Sequence, residues 1–143
     1  MDKGKVLLVD DEHEFTEVLG ERLGDRGFNV DSADNGIEAI NKIDTSNYDC
    51  IFLDLAMPGI DGIETLKQIM HKNPDMQVFL LTGQATLQKG IEAIKYGAKD
   101  VLEKPVDIKM LVKRIVAAQA DRMVIMQSNI EDKIQDILKE KGW

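Results

Sequence analysis

A chain of 143 residues, 43% hydrophobic and 31% charged, fits one domain large enough to bury a core without metal or disulfide staples. Its net charge of −8 points away from direct binding of nucleic-acid phosphates, which basic patches drive. No apolar stretch approaches the roughly 18 residues a membrane span needs, and the single cysteine, Cys50, excludes an internal disulfide.

The N-terminus leads straight into strand-like sequence without a secretory apolar region, so a cytoplasmic location is expected. Lys5-Val6-Leu7-Leu8-Val9 reads as a central strand ending in Asp10-Asp11. From Glu12 the period changes: Phe15, Val18, Leu19 and Leu23 form one helical stripe, Asp11-x-x-Glu14 has capping spacing, and Gly27 is the expected stop. Residues 28–33 alternate more weakly and read as an edge strand. Asn35-x-x-Glu38 opens a second helix carrying Ile37, Ile40 and Ile43.

The run Cys50-Ile51-Phe52-Leu53 stops at a carboxylate, Asp54, followed by the turn-forming Met57-Pro58-Gly59 and Asp61-Gly62. Asp61-x-x-Glu64 predicts the cap of a third helix over Ile63, Leu66, Ile69 and Met70. Residues 77–82 form a fourth strand ending in Thr82, and a fourth helix is expected over about 85–96 with Gly97 at its cap. A short fifth strand, 100–104, runs into Lys104-Pro105, and Asp107 caps a fifth helix.

Five strand–helix alternations predict an α/β fold: a five-stranded parallel sheet, doubly wound, in flavodoxin-like order 2-1-3-4-5. The C-terminal strand ends then share one rim, bringing Asp10, Asp11, Asp54, Thr82 and Lys104 together. Converging carboxylates call for a cation, and an all-oxygen set fits Mg²⁺. A Lys ammonium and a Thr hydroxyl match the oxygens of a phosphoryl group. Asp54 is then the nucleophile, since the adjacent pair Asp10-Asp11 is better used on metal.

In order and spacing, Val9-Asp10-Asp11, Leu53-Asp54-Leu55-Ala56-Met57-Pro58 with Asp61-Gly62, Leu81-Thr82-Gly83, and Gly97-Ala98 leading to Lys104-Pro105 resemble the receiver domain of bacterial two-component response regulators. The resemblance covers residues 3–120. It implies that Asp54 accepts a phosphoryl group from a sensor histidine kinase or phosphotransfer protein. Asp10 and Asp11 would hold Mg²⁺ with Asp54 and the backbone carbonyl of Ala56, and Thr82 and Lys104 would contact the phosphoryl oxygens. It further implies a cis peptide before Pro105 and a switch surface on the fourth helix, fifth strand and fifth helix.

One position departs from the family pattern. Val101 stands where the family commonly has Tyr or Phe, so the aromatic half of the usual coupling is absent. The chain is expected to be a signalling receiver with phosphotransfer and autodephosphorylation chemistry only. Its partners would be the kinase and a downstream protein or a second copy, met through the switch face or the tail, with no membrane insertion. A Mg²⁺-dependent aspartyl phosphatase would place a second acid where Ala56 stands, and a flavin or nucleotide module would need a phosphate loop where Asp10-Asp11-Glu12 stands. A scaffold receiver independent of phosphorylation conflicts with the intact acid, Thr and Lys set.

Residues 121–143 are expected to be helical. Val116, Met123, Ile130 and Ile137 recur every seven residues, but the row three residues on, Gln119, Met126, Lys133 and Glu140, has one apolar member. Ser128-x-x-Glu131 favours a separate short helix. His13 and His71 read as surface residues, and Cys50 as a buried, inert thiol.

Overall fold

The computed structural model describes residues 2–57 and 62–142. Five strands, β1 (Lys5–Val9), β2 (Asn29–Ala33), β3 (Cys50–Asp54), β4 (Val78–Thr82) and β5 (Asp100–Glu103), alternate with α1 (His13–Asp25), α2 (Gly36–Thr45), α3 (Gly62–Lys72), α4 (Leu87–Ala93) and α5 (Ile108–Glu140). All strand pairs are parallel, in the order β2-β1-β3-β4-β5. The expected order is therefore the observed one, with β2 on an edge.

The strand period of two divides the core into two layers. Leu7, Val9, Ile51, Leu53, Val78 and Leu80 belong to one cluster with Ile40, Leu66 and Ile69, from α2 and α3. Val6, Leu8, Phe52, Phe79 and Leu81 belong to the other with Leu19, Leu23, Leu111 and Ile115, from α1 and α5. Burial of β1, β3 and β4 on both faces is why these strands read as continuous apolar runs rather than alternating ones. Cys50 is fully buried within the second layer, and that burial pushes its thiol well above the ordinary value.

Helix starts follow the capping rules in part. The Asn35 side chain accepts from the Glu38 N–H, and Asp107 accepts from the Lys109 N–H, as expected. The first helix differs: its N-cap is Glu12 rather than Asp11 and makes no side-chain cap, while the Glu12 N–H donates to Asp10 Oδ1 at 3.0 Å. The cap expected from Asp61 lies outside the described residues, as does Trp143.

The fourth helix is shorter and tighter than its sequence pattern predicts. A 3₁₀ turn over Gln84–Thr86 precedes α4 and another over Ile94–Tyr96 follows it, ending at Gly97 with φ +111°. That left-handed conformation is why the position takes glycine.

The tail corrects the expectation of a separate helix. α5 runs unbroken for 33 residues from Ile108 to Glu140. Between those ends the sequence contains no Gly or Pro, so nothing interrupts the backbone ladder, and Ser128 is an exposed mid-helix residue rather than a cap. Only the first part of α5 packs on the domain, through Leu111, Ile115 and Ala118. Further along, Arg122 donates to the Tyr48 carbonyl and to Asp49 Oδ1, both at 2.9 Å, while Gln119 donates to the Lys3 carbonyl at 2.7 Å. Beyond Ile125 the side chains are exposed.

Candidate functional site

The site lies on the C-terminal rim of the sheet, between β1 and β3, where the direction of strand succession reverses. The loops leaving β1 and β3 run to helices on opposite faces of the sheet, α1 on one and α3 on the other, which opens a crevice between the two strand ends. Polar residues placed just after each apolar run therefore meet there. Asp10 follows β1, Asp54 ends β3, Thr82 ends β4 and Lys104 follows β5.

Asp10 and Asp54 are 1% and 3% exposed, unusual for carboxylates. Lys104 is what their burial is balanced against. Its Nζ lies 2.7 Å from Asp10 Oδ2, 3.5 Å from Asp54 Oδ2 and 3.5 Å from Glu12 Oε1. It also sits 4.4 Å from the centroid of the Phe15 ring, a cation–π contact from the first turns of α1. The Lys104 backbone N–H donates to the Thr82 carbonyl at 2.7 Å, which ties β5's end to β4's. The peptide between Lys104 and Pro105 is cis, as expected.

Burial raises the Asp54 carboxyl above its ordinary value; the N–H of Ala56, donating to Oδ1 at 3.1 Å, opposes this, Asp10 reinforces it, and Lys104 opposes it. For Lys104, burial alone would lower the ammonium, but Asp10, Asp54 and Glu12 outweigh it and hold the group above its usual range. The result is a charged lysine facing a carboxylate that burial makes a better proton and electrophile acceptor.

Thr82 is fully buried, and its Oγ1 has no hydrogen-bond partner among the described residues. A buried hydroxyl left unsatisfied costs free energy, and this one stands on the strand next to Asp54. Against the Thr82 methyl lies α4. A Cβ placed on Gly90 would come within 2.9 Å of both Thr82 Cγ2 and Val101 Cγ1, so glycine is what lets this helix approach the rim. Gly62 serves α3 in the same way, since a Cβ there would lie 2.5 Å from Leu55 Cα and 2.8 Å from the Asp54 carbonyl oxygen.

One group of acids among the described residues converges as metal ligands would. Carboxylate oxygens of Asp10, Glu12 and Asp54 all lie within 4.8 Å of one another. Asp11 is exposed and does not belong to that group. Ala56, also exposed, sits two residues beyond Asp54 with its N–H on that carboxylate. Val101 is half-buried beside α4. Oxygen donors of this number suit Mg²⁺, which retains several waters. Asp10 and Asp54 supply buried oxygen donors of that kind, and the unpartnered Thr82 hydroxyl on the neighbouring strand is free to donate to a further oxygen.

Sequence reasoning placed Asp10, Asp11, Asp54, Thr82 and Lys104 on one rim; the structure brings Asp10, Asp54, Thr82 and Lys104 together and leaves Asp11 exposed outside the converging acids. It did not find Glu12, Phe15 or Gly90. The unbroken triplet Asp10-Asp11-Glu12 held the signal for Glu12, because the chain turns sharply there and Asp10 Oδ1 accepts from the Glu12 N–H at 3.0 Å. Phe15 falls on the apolar stripe of the first helix, and nothing in the local pattern around Gly90 signals its close approach to β4 and β5.

Comparisons with known proteins agree with this geometry. Residues 6–116 match the response regulator receiver domain family. The chain is 42% identical over 113 residues, 79% of its length, to a transcriptional regulatory protein CpxR homolog of Haemophilus influenzae, of which it covers 49%. It is 31% identical over 96% of its length to the transcriptional regulatory protein CusR of Escherichia coli, covering 62% of that protein. The chain thus spans about half to two-thirds of the length of these relatives. Among solved structures it resembles the receiver domain of the Francisella response regulator 1452, with a TM-score of 0.75, 32% identity, and coverage of 82% of this chain and 98% of that one. By its motifs, its sheet order and these matches, the chain belongs to the response regulator receiver domain family.

Proposed function

We propose that the chain is a phosphorylation-dependent signalling switch whose phosphoryl acceptor is Asp54. The observation that carries this reading is the pairing of a buried, ion-paired Asp54 with the unsatisfied buried hydroxyl of Thr82. An Asp54 oxygen attacks the phosphorus of a phosphohistidine on a sensor kinase or phosphotransfer protein. A P–O bond forms, the P–N bond breaks, and the imidazole departs with its electron pair, taking up a proton.

Lys104 stands ready to neutralise the phosphoryl oxygens, and the Thr82 hydroxyl gains in them the acceptor it lacks. The family resemblance makes Asp10, Asp11, Asp54 and the Ala56 carbonyl the proposed holders of Mg²⁺; in the structure it is Glu12 that converges with Asp10 and Asp54, so this set requires the exposed Asp11 side chain to turn inward. The ion, when bound, would offset the charge that accumulates on the phosphoryl oxygens. Closing of Thr82 onto those oxygens would draw α4, which rests on its methyl group, and so bias the α4, β5 and α5 surface toward a second arrangement.

Under this reading the protein is not an enzyme with an external metabolic substrate: its chemistry is phosphotransfer to itself followed by hydrolysis of the acyl phosphate. The absence among the described residues of any helix long and apolar enough to cross a membrane is compatible with the proposed cytoplasmic setting. The test is incubation with Mg²⁺ and a small acyl phosphate, followed by intact mass. A single phosphoryl adduct is expected on the parent and none on Asp54→Ala; an equal adduct on both would sink the assignment.

A further inference from the structure

The stripe that repeats every seven residues along α5 has a second row, four residues on rather than three. Val116, Met123, Ile130 and Ile137 alternate with Ala120, Gln127 and Ile134 at spacings of four and three without interruption, the pattern of a coiled-coil seam. At 100° per residue this seam points away from Leu111, Ile115 and Ala118, which pack on the domain. Its large apolar members are between 51% and 72% exposed. The row three residues on, Gln119, Met126, Lys133 and Glu140, lies on the domain-facing flank, where Gln119 is already bonded to Lys3.

We propose that this seam is occupied by the same seam of a second copy of the chain, in a parallel, in-register two-helix coiled coil. Self-complementarity favours that occupant over an unrelated partner. The only polar residue between Val116 and Ile137 in the seam is Gln127, and parallel in-register pairing sets its amide opposite the same amide of the second copy, where each can donate to the other. An antiparallel pair would set Gln127 against an apolar residue and leave the amide unsatisfied.

Charge fits as well. The residues flanking the seam on its two sides include Glu131 and Lys133. In the parallel register each of these meets an apolar neighbour, Met126 and Leu138 respectively, so no like charges are forced together. A fully covered apolar side chain removes about 60–120 Å² from water, and these are already half covered by their own helix. The eight exposed apolar side chains between Val116 and Leu138 in each copy therefore bring about 500–1,000 Å² into the dimer, at or just below the lower edge for a stable interface. Dimerisation is accordingly concentration-dependent.

Sedimentation equilibrium of the full chain from about 1 to 300 μM tests this, beside Ile134→Glu, a change on an exposed face whose circular dichroism is expected to match the parent's. The expected result is a dimer mass at high concentration and at least a tenfold weaker association in the variant. Gln127→Cys and Ile137→Cys are each expected to form a disulfide-linked dimer on mild oxidation, while the parent, whose Cys50 is buried, does not. A parent that stays monomeric, a trimer, a dimer indifferent to Ile134→Glu, or cross-linking at only one of the two positions would each overturn the proposal.

Discussion

Gly90 and Val101 face each other across the gap between α4 and β5 so closely that a single added methyl on the glycine would press to 2.9 Å from Val101 Cγ1, with Thr82 Cγ2 equally near. Both neighbours are β-branched and stiff at χ1, so neither can swing aside cheaply. Gly90→Ala gains about 1 kcal/mol of helix propensity but meets an overpacking cost of about 1–3 kcal/mol. The expected net result is a lower melting temperature. Val101→Tyr, bulkier still, should displace α4 in the unphosphorylated state. Amide exchange over residues 84–96 is expected to quicken in both variants, and unchanged exchange would count against the tight contact.

Asp54 gives a pH prediction whose sign is fixed by the direction of its shift. Its carboxyl titrates above the ordinary 3.8 in the folded protein, so the folded state holds the proton more tightly than the unfolded one. The stability that this group contributes is full below about pH 4 and is lost as pH rises through the folded value. Asp54→Asn, neutral throughout, should therefore melt a few degrees above the parent at pH 7, with the gap closing toward pH 4. Thermal melts of the two proteins between pH 4 and 8 check this.

The proposed cation site distinguishes two neighbouring acids, Asp11 and Glu12. Glu12 is 3.5 Å from Lys104 with its side chain 65% exposed, and its carboxylate also converges with those of Asp10 and Asp54, whereas Asp11 is exposed and outside that group. Under the proposed ligand set, Asp11→Asn should weaken Mg²⁺ binding about tenfold or more, as loss of ligand support commonly does, while Glu12→Gln changes it less than about threefold. Titration calorimetry would read the order directly; the reverse ranking would move the ligand from Asp11 to Glu12.

Removing the Lys104 charge leaves buried carboxylates uncompensated. Lys104→Met should lower stability at pH 7 by about 3 kcal/mol, the cost of breaking a buried pair from one side. Saturating Mg²⁺ should then restore more stability to the variant than it adds to the parent, because the ion takes over the charge balance. Denaturant melts with and without a chelator measure both quantities, and equal Mg²⁺ increments in the two proteins would argue against Lys104 as the resting counter-charge.

The architecture was legible because β1, β3 and β4 are buried on both faces, which stamps three apolar runs onto the sequence, and each run is followed directly by its rim residue. Asp10, Asp54, Thr82 and Lys104 could thus be placed from the ends of runs alone. Glu12 could not, because its inclusion depends on the turn after Asp10 rather than on strand position. The 3₁₀ turns around α4 were hidden as well, since Leu87, Ile91 and Ile94 keep helical spacing whether the ends are α or 3₁₀. In the tail, Ser128 and Glu131 have the spacing of a cap, yet with no Gly or Pro nearby the helix passes through them. Only the direction in which α5 leaves the domain tells which flank of its stripe is covered.

That direction is set by Arg122. Its guanidinium grips Tyr48 and Asp49, at the end of the sheet remote from Asp54, while Leu111 and Ile115 hold the same helix along the sheet's face. From Arg122 to Glu140 the helix runs on for about 27 Å at 1.5 Å per residue. It has the geometry of a lever with its fulcrum at the clamp: a tilt of about 10° in the seated segment would carry the tip roughly 5 Å, so a displacement too small to repack the core is multiplied along the helix.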